Sequence, residues 1–163
     1  INSDLANNYG NLCQRVISFN EKNCGLLIPE KSSFEKEDLK ILKKIGDCAS
    51  TLRSNIDNQE LSLYANFIVD CLFDANKYFN DQEPWKKKND KLRLFSIVYT
   101  GIELIRKLTI LLYPIMPHTS VKVLNTFNIK ENQIDFESLK DNDFLKEKNK
   151  INKLEILFKK IEK

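Results

Sequence analysis

Histidine, glycine and tryptophan are scarce in this chain of 163 residues: one His, four Gly and one Trp. With His118 alone and no CxxC pair among four cysteines, no zinc ligand set can be assembled. So few glycines argue against a β-sandwich and against a Gly-rich phosphate loop. The longest apolar run, near Leu108 to Tyr113, is far too short to span a membrane, and no secretory leader is visible. No segment alternates polar and apolar with a period of two, and there is no internal repeat. Net charge is only +3, so a polyanionic partner must be met by a local patch, not by a global field.

Catalytic groupings are missing too. The carboxylates are scattered among lysines along solvated faces, and His118 sits between Pro117 and Thr119 at a helix start, the place of a loop or cap residue. A free-standing enzyme is not what these residues describe. Cys13, Cys24, Cys48 and Cys71 each lie in or beside an apolar helical pattern. They read as reduced core residues of a cytoplasmic protein. The chain starts at Ile1, already inside a helical pattern, and so reads as a piece of a longer polypeptide.

What is present is helical periodicity. Leu5, Tyr9, Leu12, Val16 and Phe19 form one stripe on a first helix from about Ser3 to Phe19 or a turn beyond. Ser32 and Glu35 make a capping-box pattern that predicts a second helix carrying Leu42, Ile45, Ala49, Leu52 and Ile56. Asp57 and Glu60 repeat the signature before a third helix that reaches about Phe79. A fourth, apolar nearly all round and therefore central, runs from about Asn89 to Leu112 and is stopped by Pro114 and Pro117. Thr119 is placed to cap a short fifth through Phe127, and a further helix is expected near Asp143 to Lys160. The fold class is all-α: an antiparallel bundle of four to five helices over residues 1–127. Residues 128–163 form a tail, packed on the bundle or on another part of the polypeptide.

Two features stand outside this core pattern. Asp4, Asn8, Asn11, Arg15 and Ser18 form a polar row beside the first helix's apolar stripe, with Asn11 and Arg15 one turn apart. Spacing alone leaves this row an ordinary solvated flank. Trp85 stands in "EPWKKKNDKLRLF", followed by Lys86, Lys87 and Lys88, with Lys91 and Arg93 beyond and Asp90 opposing them. Cations around one aromatic suit single-stranded nucleic acid, phosphate on the lysines and a base on the ring. The residues equally allow a tryptophan folded back as a plug, with lysines snorkelling past it.

The wording of four segments narrows the choice. "NSDLANNYGNLCQRV" resembles the opening helix of the anticodon-binding domain of methionyl-tRNA synthetases, N-x-D-L-x-N-x-x-G-N-L-x-x-R. "ANKYFNDQEPW" is similar to that family's N-x-Y-I-D-x-x-x-P-W. "LLYPIMPHTSVKVLNTF" follows its L-x-P-x-x-P break, and "LFKKIE" its closing LFPRIE. The sister class Ia synthetases for Leu, Ile, Val and Cys share the helical fold, but the Asn-x-x-x-Arg pair with Pro-Trp favours methionine.

The resemblance implies recognition of the CAU anticodon of methionine tRNA. Trp85 would stack on the first anticodon base, and Asn11 and Arg15 would read it; the basic patch itself, not the resemblance, suggests Lys86, Lys87 and Lys88 along the tRNA backbone. It implies a fragment without catalytic residues, metal or cofactor of its own, since HIGH- and KMSKS-like sequences are missing. The parent would be a methionine-tRNA ligase using ATP and Mg in a separate catalytic domain, with neither DNA nor membrane as partner. Two departures stand out: Lys159 replaces a usual proline, and Asn80 a common aspartate, which is expected to cost the corner a cap or a polar contact. A helical protein-interaction module and a sister synthetase are the competing readings.

Overall fold

Residues 2–155 and 157 are described by a computed structural model. Among the described residues six α-helices follow one another: α1 (Asn2–Cys24), α2 (Lys36–Asp47), α3 (Ala49–Asp57), α4 (Leu61–Gln82), α5 (Lys91–Leu112) and α6 (Pro117–Thr126). Short 3-10 turns cover Pro84–Lys86, Glu131–Gln133 and Phe136–Lys140. The expected class, an all-α bundle, is what forms.

α5 is the axis, as its nearly all-round apolar pattern predicts, and Leu94, Ile97, Val98, Ile102, Ile105 and Leu108 are all buried. α4 runs antiparallel beside it, with the Tyr64 hydroxyl donating to the carbonyl of Leu111 (2.6 Å). α1 packs against both α4 and α5. Its Tyr9 hydroxyl shares a 2.6 Å hydrogen bond with Thr109, and Val16 lies against Gly101, where an added Cβ would meet its methyl at 3.1 Å. α2 packs against α4 and α5, α3 against α4, and α6 closes on α5.

Several expectations are corrected. The second helix is broken at Cys48 into α2 and α3, beside Gly46, where a Cβ would sit 2.9 Å from the Leu139 carbonyl oxygen. The chain bends where the tail passes over it. Its capping box is Glu35 with Asp38, whose Oδ2 accepts from the Glu35 N–H (2.8 Å), not Ser32 with Glu35. Asp57 ends α3, Glu60 opens α4 without a side-chain cap, and α6 starts at Pro117, before Thr119.

The largest correction is the tail. Residues 143–155 are not helical; they run as an irregular strap. An isolated bridge joins Leu27 to Lys150, and the Ile151 N–H donates to the Leu26 carbonyl (2.7 Å). Charged residues of α5 hold this strap from inside. Arg106 donates to Glu103 (2.8 Å) and to the carbonyl of Asp141 (2.8 Å), and its guanidinium lies 4.6 Å from the Phe144 ring. Lys107 donates to the Leu139 carbonyl and to Asn142 (2.7 Å), and Glu103 accepts the Leu145 N–H (2.8 Å). Leu139, Leu145 and Ile151 enter the core, so the hydrophobic cluster continues beyond residue 127. The closing "LFKKIE" block, except Leu157, and with it Lys159, lies outside the described residues.

All four cysteines are free. Burial pushes the thiols of Cys13, Cys24 and Cys71 up to about 12, so they stay protonated at neutral pH.

Candidate nucleic-acid interface

The corner between α4 and α5 is made by backbone chemistry. Pro84 disfavours helical backbone at the residue before it, and Glu83 takes the left-handed conformation (φ 45°) while its N–H caps the Asn80 carbonyl (3.2 Å). Pro84 then opens a 3-10 turn that carries Trp85 outward, and Asp90 caps α5 by accepting the Arg93 N–H (3.1 Å).

Trp85 is 40% exposed. Its ring packs edge-on against Phe79 (centroids 6.4 Å apart), which in turn meets Phe19 edge-on at 6.0 Å. The indole is thus seated on the core by its edge, neither sunk into it as a plug nor detached. The Arg15 guanidinium lies 5.7 Å from the same Phe79 ring and donates to Asn80 Oδ1 (2.7 Å). The structure therefore brings Arg15 and Trp85 together around one buried phenyl ring. Asn11 is exposed one turn before Arg15 on α1, with no side-chain hydrogen bond among the described residues.

The contact expected to be lost at Asn80 is kept. The amide oxygen takes one of the five guanidinium donors, and being neutral it aims the fork without cancelling its charge. Phe79, Asn80 and Phe19 are the parts that spacing did not single out. Phe79 and Phe19 belong to apolar stripes, so their role as a floor for Trp85 and Arg15 depends on how the corner folds back.

The lysines separate. Lys86 pairs with Glu83 (2.7 Å), while Lys87 and Lys88 are exposed and make no ion pair among the described residues. Arg93, counted from sequence in the patch around Trp85, turns inward instead. It holds Asp38 through both terminal nitrogens (2.5 and 2.9 Å), Gln82 (2.7 Å) and the Ser33 carbonyl (2.9 Å), while Tyr78 donates to the same carboxylate (2.5 Å). Among the described residues, no cluster of three or more His, Cys, Asp or Glu could hold a metal, and no helix is long and apolar enough to cross a membrane.

Residues 28–163 match the family model described as the anticodon-binding domain of methionyl tRNA ligase. The chain belongs to that family. The domain is 36% identical over 138 residues to the methionine–tRNA ligase of Mycobacterium leprae, a match covering 82% of this chain and 26% of the relative. It is 34% identical over 136 residues to that of Brucella suis, covering 83% and 26%. It superposes on the free-state crystal structure of Mycobacterium tuberculosis methionyl-tRNA synthetase with a TM-score of 0.90 and 29% identity, covering 99% of this chain and 33% of that one. The domain thus spans about a quarter of the length of these relatives and a third of the solved chain.

Proposed function

We propose that the domain binds the anticodon loop of methionine tRNA and reads the first base of CAU at the Trp85 corner. The observation that carries this is the shared floor: the Phe79 ring meets both the exposed indole and the Arg15 guanidinium. A flat base laid on Trp85 has its edge beside a hydrogen-bonding fork. Cytosine offers an N4 donor beside N3 and O2 acceptors, so the Asn11 amide oxygen accepts from N4 while Arg15 donates on the acceptor side. Uracil presents a carbonyl to that same amide oxygen. Stacking supplies grip, about 1–3 kcal/mol and tolerant of any base, and the α1 pair supplies discrimination. Lys87 and Lys88, with Lys86 once it leaves Glu83, lie along the tRNA backbone.

The domain belongs, in this reading, to a longer cytoplasmic polypeptide whose separate catalytic domain uses ATP and Mg to join methionine to its tRNA. None of that chemistry is supplied by the residues described above.

The test is binding to anticodon stem-loops that begin CAU or UAU. The domain should prefer CAU, and Asn11→Ala and Arg15→Ala should each narrow the ratio, while neutralising Lys86, Lys87 and Lys88 together weakens both loops alike. If the α1 substitutions leave the ratio untouched and the lysine changes alter it, Asn11 and Arg15 are a solvated flank. A preference for another anticodon points to a sister synthetase. Binding insensitive to salt and to polyanions points to a protein-interaction module.

A further inference from the structure

We propose that the seam between α1 and α4 takes a second unpaired base beside the first, with Phe73 as its stacking platform; this rests on the reading of Trp85 as the seat of the first base. Phe73 is 64% exposed, more than Trp85, although it stands in the middle of a long, well-packed helix. It lies off the face that α4 buries through Ile68, Leu72, Ala75 and Phe79.

Its neighbours along α4 tie it to the reading corner. Asn80, the partner of Arg15, is seven residues on, two turns later, on the same side of the helix and roughly 10.5 Å away along its axis. Between them stands Asn76, one turn from each. Its amide nitrogen donates to the Asn8 carbonyl of α1 (3.1 Å) and to the Leu72 carbonyl (3.0 Å), which pins the two helices together and fixes the amide's orientation. Its Oδ1 accepts nothing among the described residues and is not one of the buried unsatisfied atoms. The order along the seam is aromatic, amide, amide, aromatic: Phe73, Asn76, Asn80, Trp85.

That order suits a short unpaired strand. A second base stacked on Phe73 has its edge over Asn76, and a fixed amide oxygen accepts from an exocyclic amino group. The class selected is therefore a base with an amino donor, adenine or cytosine, over uracil. Asp70, exposed one turn before Phe73, repels phosphate and ends the track on that side. A base is favoured over an apolar protein segment because the seam joins the base-reading corner and because amides, not apolar side chains, separate the two rings.

The experiment measures affinity of the domain for CAU stem-loops that are intact, abasic at the first anticodon position or abasic at the second. Phe73→Ala should weaken the intact loop roughly 5- to 150-fold, and Phe73→Tyr should keep its affinity. Phe73→Ala should add nothing further once the second base is gone, because the lost partners are then the same pair. Trp85→Ala should show that relation with the first base. Helix content by circular dichroism should not change with Phe73→Ala, since an exposed ring leaves no cavity. If Phe73→Ala leaves affinity unchanged, or weakens intact and second-position abasic loops alike, the platform is overturned while the Trp85 coupling stands. If neither residue couples to its base, the reading of the corner falls as well.

Discussion

Arg15 and Arg93 both bind the last turn of α4, two residues apart, and the protein uses them in opposite ways. Arg93 is buried and fully committed: a bidentate grip on Asp38, a bond to Gln82 and another to the Ser33 carbonyl. Arg15 is half-buried and spends one donor on the neutral amide of Asn80. Gln82, just before the Trp85 turn, accepts from the Arg93 side chain, so the inward arginine ties the end of α4 to α5 at the base of the corner, while Asp90, just after the turn, accepts only the Arg93 backbone N–H. The outward one stays available above it. The same division holds for the lysines, with Lys107 clamped inside against the tail and Lys87 and Lys88 in solvent. Cations inside set the geometry, and cations outside are free to meet a ligand.

The strongest way to break this comparison is at Arg93. Arg93→Ala leaves the Asp38 carboxylate buried without its counter-ion, and removing one member of a buried pair costs about 3–5 kcal/mol of stability. Urea unfolding should show a loss of that size, with binding to every stem-loop falling together because the corner loses its base. An Arg93→Ala domain of normal stability would show that the buried pair contributes nothing to the fold.

Trp85→Ala should behave in the reverse manner. The ring is half in solvent and rests on Phe79 by its edge, so stability should change by less than about 1 kcal/mol, while stem-loop affinity falls by about 1–3 kcal/mol. Indole fluorescence should be quenched as the stem-loop binds. Loss of helix content in the variant would restore the plug reading and erase the contrast with Arg93.

These two outcomes also mark what the sequence could show. The long helices and the central place of α5 were legible because apolar residues recur with a helical period and prolines stop them. Trp85, Asn11 and Arg15 are singled out by the wording of short motifs, not by spacing, which leaves Asn11 and Arg15 indistinguishable from a solvated flank. The inward turn of Arg93 was not legible. It sits two residues past Lys91 in a basic run, and its partner Asp38 is 55 positions away. The tail was misread for a similar reason. Its charged residues resemble a solvated helix, yet what shapes residues 138–145 is a set of carbonyls and amides meeting Glu103, Arg106 and Lys107. Such pairing has no local period.

The smallest effect separates the inner lysine from the outer ones by the variable each answers to. Burial, with the charge of Arg106 beside it, pulls Lys107 down from 10.5 to about 8, against the opposing pull of Glu103, Asp141 and Asp47. In the unfolded chain the amine keeps its proton to the ordinary value, so above pH 8 the unfolded state binds more protons than the folded one. Folding stability contributed by this group therefore rises with pH through 8, by no more than about 1.4 kcal/mol per pH unit. From about pH 8 the buried thiols increasingly oppose it. Their folded values near 12 lie above the unfolded ones, so they cost stability as the unfolded chain ionises. Lys107→Met keeps these thiols, so the difference between it and wild type isolates the amine over a window of pH 7.5 to 9. Across it the wild-type domain should gain stability relative to Lys107→Met, measured as the shift in urea midpoint. Neutralising Lys86, Lys87 and Lys88 should leave that pH slope alone and instead flatten the dependence of stem-loop affinity on salt. A parallel pH response in wild type and Lys107→Met would mean that burial does not lower the proton affinity of the Lys107 amine.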